Sequence, residues 1–147
     1  MDLAMYCLVG LVVVGALWIF TRTQETRKEP VPNVVVPRGF TAAELANYTG
    51  ENGTVPYVSV KGTVFAVSRE FYGPGNAYNA FAGVDASRHL GKVRVGRDEC
   101  NADWTTLSFE HLQVLDEWEE RFRAKYMPVG WFIPDASYYA KAKTLDP

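Results

Sequence analysis

The segment FYGPGNAYNAFAGVDASR, residues 71–88, mixes glycine, proline and aromatic residues in a proportion that regular helices and strands do not tolerate. Tyr72 and Tyr78 stand six residues apart in it. Gly73 and Gly75 allow the backbone to approach a flat or bulky group closely. The pattern predicts a loop with short helical turns, and its aromatic side chains suit the lining of a slot.

The sequence before this segment predicts a helix followed by a β-hairpin. Thr41 and Glu44 have the spacing of a capping box, which predicts a helix start, and we expect that helix to end near residue 50. Two β-rich runs, 57–60 and 63–67, flank a turn that contains glycine. Such a spacing is typical of a hairpin.

The sequence after the segment predicts mainly helix. Residues 85–90 favour a short helix, and an irregular stretch follows with a brief strand at 92–95. Apolar residues then recur at spacings of three and four, which predicts a long helix from Ser108 to about Tyr126. Residues 129–133 favour a closing strand. The order of helix, hairpin, short helices, long helix and strand predicts the α+β class.

An apolar segment, residues 3–20, precedes the domain and carries no charge over 18 residues. As a helix it would be about 27 Å long, close to the hydrocarbon thickness of a bilayer, so we expect one transmembrane anchor. A cleaved signal peptide is the weaker alternative, because no basic residue precedes the segment and no small-residue cleavage site follows it. Three basic residues come after it: Arg22, Arg27 and Lys28. The positive-inside rule then predicts that the C-terminal domain faces the cytosol or the matrix.

Composition and pattern together divide the chain and exclude several classes. We expect four parts: an anchor at 1–21, a proline-rich linker at 22–38, a domain at 39–133 and a tail at 134–147. The net charge of −2 provides no basic surface of the kind that nucleic acid requires. Cys7 and Cys100 lie too far apart to predict a disulfide framework, and no Cys/His spacing matches a zinc site.

Several motifs of the domain match one known family. They are FTAAEL (40–45), VKGTVFAV (60–67), FYGP (71–74), Tyr78, FAGVDASR (81–88), Trp118-Glu119, Lys125-Tyr126 and Val129-Gly130. In these residues the chain resembles the membrane-associated progesterone receptor family, whose haem/steroid-binding domain is a variant of the cytochrome b5 fold. The resemblance covers residues 39–132, and an N-terminal anchor ahead of the domain is also the family's layout.

The resemblance implies a cofactor and its ligands. In the family a tyrosine binds the haem iron, and the matching residue here is Tyr78. A tyrosine-ligated b-type haem is therefore implied, with Tyr72, Lys125 and Tyr126 as supporting polar groups. A phenolate is a hard ligand that suits ferric iron. From the residues alone an ordinary interpretation stays open, in which Tyr72 and Tyr126 are core rings and Lys125 is the solvated end of a helix.

The sequence differs from the electron-carrying cytochrome b5 proteins, which resemble this fold. Those proteins bind haem through two histidines, one of them in a His-Pro-Gly-Gly turn that this sequence lacks. We therefore expect His89 and His111 to be surface or hydrogen-bonded residues and not a ligand pair. A five-coordinate haem on tyrosine has a low potential, which disfavours fast electron transfer. Asn79 also departs from the family, which often has glycine after the ligand.

The sequence is compatible with two functions and disfavours a third. The resemblance implies a haem-binding protein that acts as a haem chaperone or as a partner of membrane haem enzymes, in the endoplasmic reticulum or the mitochondrial inner membrane. It further implies a steroid ligand and a homodimer through stacked haem faces. The alternative is a haem-free accessory subunit of a larger membrane complex, such as one of the mitochondrial inner membrane. An enzyme is disfavoured, because the sequence shows no catalytic triad, no Cys/His pair and no phosphate-binding loop.

Overall fold

The computed structural model describes residues 35–147. The predicted anchor at 3–20 and most of the predicted linker lie outside these residues, and both stay predictions. Within residues 35–147, no helix combines the length and the apolar character that a membrane crossing requires.

One mixed sheet forms the frame of the domain. Its strands are β1 (Arg38–Thr41), β2 (Tyr57–Val60), β3 (Thr63–Ala66), β4 (Val84–Asp85) and β5 (Met127–Ile133). They lie side by side in the order β1-β5-β3-β2-β4. β3 pairs antiparallel with both β2 and β5, whereas β1 runs parallel to β5 and β4 runs parallel to β2. The chain between β3 and β4 leaves the sheet, and it carries most of the glycine- and aromatic-rich segment 71–88.

The predicted hairpin is confirmed as β2 and β3. Lys61 and Gly62 form its two-residue turn, with φ angles of 50° and 81°. Two positive φ angles in succession give the turn the twist that adjacent antiparallel strands require. Side chains alternate along β3, so Phe65 belongs to one hydrophobic cluster and Val64 to the other.

Helices and short turns fill the connections between the strands. In the described part the helices are α1 (Ala42–Leu45), α2 (Arg69–Tyr72), α3 (Ser87–Gly91), α4 (Phe109–Lys125) and α5 (Ala136–Ala142). Single 3₁₀ turns lie at Glu51–Gly53, Asn79–Phe81 and Trp104–Thr106. Two predicted helix starts are confirmed by their caps. Thr41 Oγ1 accepts a hydrogen bond from the Glu44 N–H at 3.2 Å, and Ser108 Oγ accepts one from the His111 N–H at 3.3 Å.

Two hydrophobic clusters hold the helices on the sheet. The larger one joins Phe65 of the sheet to Leu115 and Phe122 of α4, and it includes Tyr72 and Phe81 from the aromatic segment. The smaller one contains Phe40, Leu45, Val64, Val129, Phe132 and Tyr138. Burial of each large apolar side chain contributes about 1.5–3 kcal/mol. The aromatic segment is thus fixed by the same cluster that fixes α4.

One predicted element is wrong and three were missed. The predicted strand at 92–95 is instead a turn, in which Val93 has a φ of 52° and the Arg94 N–H donates to the His89 carbonyl at 3.0 Å. Its valines alternate with Lys92 and Arg94, which favours an extended backbone, but no strand of the described domain pairs with it. The missed elements are β1, β4 and α5, and α5 packs Tyr138 against Phe132 with ring centroids 5.5 Å apart.

Candidate functional site

Helix α2 and the loop after it bring two tyrosines together. Ser68 begins α2, since its Oγ accepts a hydrogen bond from the Glu70 N–H at 3.1 Å. At Gly73 a Cβ would lie 2.5 Å from the Arg69 carbonyl oxygen, so only glycine allows the chain to turn there. The loop returns to the helix where the Tyr78 N–H donates to the Phe71 carbonyl at 3.0 Å.

The two tyrosines differ in burial although they are neighbours. Their ring centroids lie 5.8 Å apart with an interplanar angle of 37°. Tyr72 is 6% exposed, whereas Tyr78 is 38% exposed. Phe81 lies nearly parallel to Tyr78, with centroids 6.3 Å apart and an interplanar angle of 9°. Tyr78 therefore presents part of its ring to the outside while its inner side rests on buried aromatic rings.

The end of α4 completes the cluster. The ring of Tyr126 lies 6.1 Å from that of Tyr72, at an angle of 83°. Lys125 places its Nζ 4.5 Å from the ring centroid of Phe71 and 5.2 Å from that of Tyr126. The structure thus brings the four residues predicted from the sequence into one aromatic cluster with a cation at its edge. We refer to Phe71, Tyr72, Tyr78, Lys125 and Tyr126 as the tyrosine cluster.

Electrostatics keep the central phenol of this cluster protonated. Burial raises the pKa of Tyr72 well above its ordinary value, and the nearby hydroxyls of Tyr126 and Tyr78 raise it further. Tyr72 is therefore a hydrogen-bond donor at neutral pH. Within residues 35–147, the only buried side-chain polar atom without a hydrogen-bond partner is Nδ1 of His111. The Tyr72 hydroxyl is therefore not among the buried polar atoms of the described residues that lack a partner.

The DASR motif contributes a buried carboxyl, that of Asp85. Asp85 Oδ2 accepts hydrogen bonds from Ser59 Oγ at 2.6 Å and from Ser87 Oγ at 3.1 Å. Burial raises the pKa of Asp85 to about 6, although these hydrogen bonds oppose the shift. The Asp85 N–H donates to Asn101 Oδ1 at 2.8 Å. The carboxyl therefore joins β2, β4 and the start of α3, and its role is structural.

The arginine of the same motif is a second structural residue that sequence patterns did not assign. Arg88 is fully buried, and its Nε donates to Glu99 Oε1 at 3.1 Å. Its Nη1 donates to the Asp103 carbonyl at 3.0 Å and to Thr106 Oγ1 at 2.7 Å. Its Nη2 donates to the Asp146 carbonyl at 2.5 Å. One guanidinium thus ties α3 to the following loop and to the C-terminal tail.

The two histidines differ in their hydrogen bonding. Nδ1 of His89 donates to the Arg94 carbonyl at 3.0 Å, and its Nε2 accepts from the Glu99 N–H at 3.0 Å. Burial lowers the pKa of His89, and this outweighs the Asp98 carboxylate 3.3 Å from Nε2. The ring is therefore neutral with both nitrogens engaged, as the sequence predicted for a hydrogen-bonded histidine. For His111 the expectation of a surface or hydrogen-bonded residue is wrong at Nδ1, which is buried and has no partner among residues 35–147.

Similar proteins and solved structures agree on the fold and the family, although no protein-family model matches the chain. "Probable steroid-binding protein 3" of Arabidopsis thaliana is 42% identical over 94 residues, which are 62% of this chain and 94% of the relative. A solved structure from Arabidopsis thaliana, described as having a cytochrome b5-like fold, is 37% identical with a TM-score of 0.57, and the match covers 66% of this chain and 92% of that one.

Two further relatives carry more informative names. "Membrane-associated progesterone receptor component 2" of Rattus norvegicus is 32% identical over 139 residues, which are 84% of this chain and 64% of the relative. "Cytochrome P450 regulator dap1" of Schizosaccharomyces pombe is 38% identical over 105 residues, or 65% of this chain and 63% of the relative. This chain therefore spans just under two thirds of the length of these two relatives.

The α+β fold, the tyrosine cluster and the relatives together define the class of protein. The chain belongs to the membrane-associated progesterone receptor family and has a cytochrome b5-like fold. The names of its relatives describe binding or regulation and not catalysis.

Proposed function

We propose that this chain is a membrane-anchored haem-binding protein with Tyr78 as the iron ligand. The observation that carries the proposal is the pairing of a partly exposed phenol, Tyr78, with a buried protonated one, Tyr72, at a centroid distance of 5.8 Å. Bound haem supplies a flat apolar ring, a ferric iron and two propionates. A phenol oxygen is the hard donor that ferric iron prefers, so the residues present fit the group.

Each residue of the tyrosine cluster has a role in this proposal. Tyr78 would hold the iron through its oxygen, because a positive metal ion stabilises the phenolate. Tyr72, which stays protonated, would donate a hydrogen bond to that oxygen and so orient the ligand. Lys125 would supply positive charge for a propionate, and Tyr126 would supply a hydrogen-bond donor. Phe71 and Phe81 would help to exclude water from the site.

The proposal extends to location and partners. The predicted anchor at 3–20 and the basic residues after it support a domain on the cytosolic or matrix side of a membrane. A haem site at that surface suits a haem chaperone or a partner of membrane haem enzymes such as cytochromes P450. The name of the fission-yeast relative, a cytochrome P450 regulator, supports the second role.

Purification from the native membrane tests this function. We expect the full-length chain, extracted in mild detergent, to contain haem by the pyridine haemochrome assay and to co-purify with a haem-thiolate enzyme. Transfer of haem to the apo form of that enzyme would distinguish a chaperone from a stable partner. A chain recovered without haem, and only within a large stable assembly, would contradict the proposal and favour the accessory-subunit alternative.

A further inference from the structure

One side-chain amide fastens the loop that carries Tyr78. Asn79 Nδ2 donates to the Tyr72 carbonyl at 2.8 Å and to the Thr49 carbonyl at 3.3 Å. A single amide group therefore joins three segments of the chain: the Tyr78 loop, the C-terminal end of α2 and the turn that follows α1. No other residue type offers two donors on so short a side chain.

The turn at Thr49 and Gly50 is itself a fixed support. Arg69 Nη2 donates to the Gly50 carbonyl at 3.1 Å. A Cβ at Gly50 would lie 3.2 Å from Pro74 Cδ and 3.3 Å from Gly73 Cα, so the turn packs directly on the start of the loop. The φ of Gly50 is 85°, which favours glycine at this position. The carbonyl that accepts from Asn79 is thus held in place by its neighbours.

The position of Tyr78 follows from these two attachments. Its own N–H donates to the Phe71 carbonyl at 3.0 Å, and the next residue in the chain is the Asn79 that holds α2 and the turn. The backbone of Tyr78 is therefore held on both sides before any ligand arrives. A site that is ordered in advance binds more tightly, because binding does not have to fix it.

We propose that Asn79 is a positioning residue that holds the Tyr78 phenol beside Tyr72 and thereby sets the affinity of the site for haem. The inference rests on the proposed function and adds to it a residue for which the family resemblance assigns no role. It also explains how this chain accommodates a side chain at a position where its family often has glycine.

Amide hydrogen exchange and haem dissociation test the inference in the full-length chain in detergent. The variants are N79A, which removes both donors, and N79D, which keeps the size but presents a carboxylate to two carbonyls. The matched control is N76A, because Asn76 lies in the same loop and its Nδ2 donates to the Arg69 carbonyl at 2.8 Å. Melting curves of all variants show whether the domain is still folded.

We expect N79A to accelerate exchange of the Tyr78 N–H roughly tenfold without haem. With haem, we expect it to accelerate dissociation about tenfold, the lower range for residues that orient a metal ligand. N79D is expected to exceed N79A in both measurements. N76A is expected to stay within about twofold of the wild type.

Three results would decide against the inference or separate it from the proposed function. Unchanged exchange in a folded N79A would overturn it, because Asn79 would then not hold the loop. Faster exchange with unchanged haem dissociation would overturn the link to affinity. A wild type that binds no haem would refute the proposed function and the affinity claim together, and the exchange data would then decide only whether Asn79 holds Tyr78.

Discussion

The ring of Tyr72 lies 5.8 Å from the ring of Tyr78, and only the second of the two is substantially exposed. This pairing places a protonated donor beside a phenol that is open to a ligand. It is the relationship from which the proposed haem site follows, and it assigns different roles to two residues of the same type.

The first prediction concerns the donor. Y72F removes the hydroxyl but keeps the ring that packs in the core, so the fold should be retained. We expect haem affinity to fall about tenfold, as for other residues that orient a metal ligand, while the absorption spectrum keeps the form of a tyrosine complex. Titration with haem, followed by absorbance, measures both. Y57F is the control, because Tyr57 packs in the smaller cluster; equal losses in the two variants would count against a specific role.

The second prediction concerns the buried arginine. Arg88 shares Glu99 with Lys92, whose Nζ donates to Glu99 Oε1 at 2.8 Å. Burial opposes ionisation of Glu99, but hydrogen bonds from Lys92 and Arg88 hold its pKa below the usual value. R88M should lower the free energy of unfolding by about 3–5 kcal/mol, because the Asp103 and Asp146 carbonyls lose a buried donor and Glu99 keeps only Lys92 and Arg94 as cationic partners. Denaturant unfolding followed by circular dichroism measures this.

The double variant R88M/E99Q is the control for that experiment. Its loss of stability should be smaller than the sum of the losses in R88M and E99Q measured separately, because both single variants break the same Arg88–Glu99 pair. If R88M lowers the free energy of unfolding by less than about 1 kcal/mol, the Arg88 guanidinium does not hold α3 to the following loop and the C-terminal tail.

The third prediction concerns pH. The pKa of Asp85 is raised to about 6 in the folded protein, so the folded state binds this proton more tightly than the unfolded state does. The free energy that Asp85 contributes to stability is therefore largest below pH 4 and declines as pH rises towards 6 and beyond. D85N cannot titrate. The free energy of unfolding of D85N minus that of the wild type should rise between pH 4 and 7 by on the order of 3 kcal/mol.

D85N must be compared with the wild type because other carboxyl groups also make stability depend on pH. The pKa values of Glu99, Asp98 and Asp135 are lowered, so the stability that these groups contribute rises with pH. These groups are common to both proteins and cancel in the difference. A difference that stays constant from pH 4 to pH 7 would contradict the raised pKa of Asp85.

The fourth prediction concerns the side of the membrane. Two glycosylation sequons begin at Asn47 and Asn52, and both side chains are exposed. If the domain faces the cytosol or the matrix, neither acquires a glycan. The chain expressed in mammalian cells should therefore migrate identically before and after glycosidase treatment. A version preceded by a secretory signal is the positive control. A glycosidase-sensitive shift of the native chain would reverse the predicted orientation.

Local signals explain which parts of the fold the sequence predicts. Thr41, Ser108 and the Lys61-Gly62 turn act on neighbours a few residues away, so their patterns identify helix starts and a hairpin. β1 depends on a partner far along the chain, since Arg38 lies opposite Gly130, and its four residues carry no strand pattern of their own. β4 has two residues and is defined only by its pairing with β2.

The site shows the same difference between local signals and contacts that join distant parts of the chain. Tyr72, Tyr78, Lys125 and Tyr126 were predicted from a family resemblance, because nothing in their spacing indicates that α2 and the end of α4 meet. The role of Arg88 stayed hidden, since its partners extend as far along the chain as Asp146. In the sequence Asn79 is only a departure from the family. Its two acceptors, the Tyr72 and Thr49 carbonyls, lie on segments that only the folded chain brings to the loop.

The central claim is that Tyr78 binds the haem iron, and its most direct test is absorption spectroscopy of the full-length chain with added ferric haem. For the wild type we expect a shifted Soret band with the charge-transfer bands of a high-spin tyrosine complex, and for Y78F a folded protein in which these features are lost. A Soret spectrum that is the same in the wild type and in Y78F would contradict the claim.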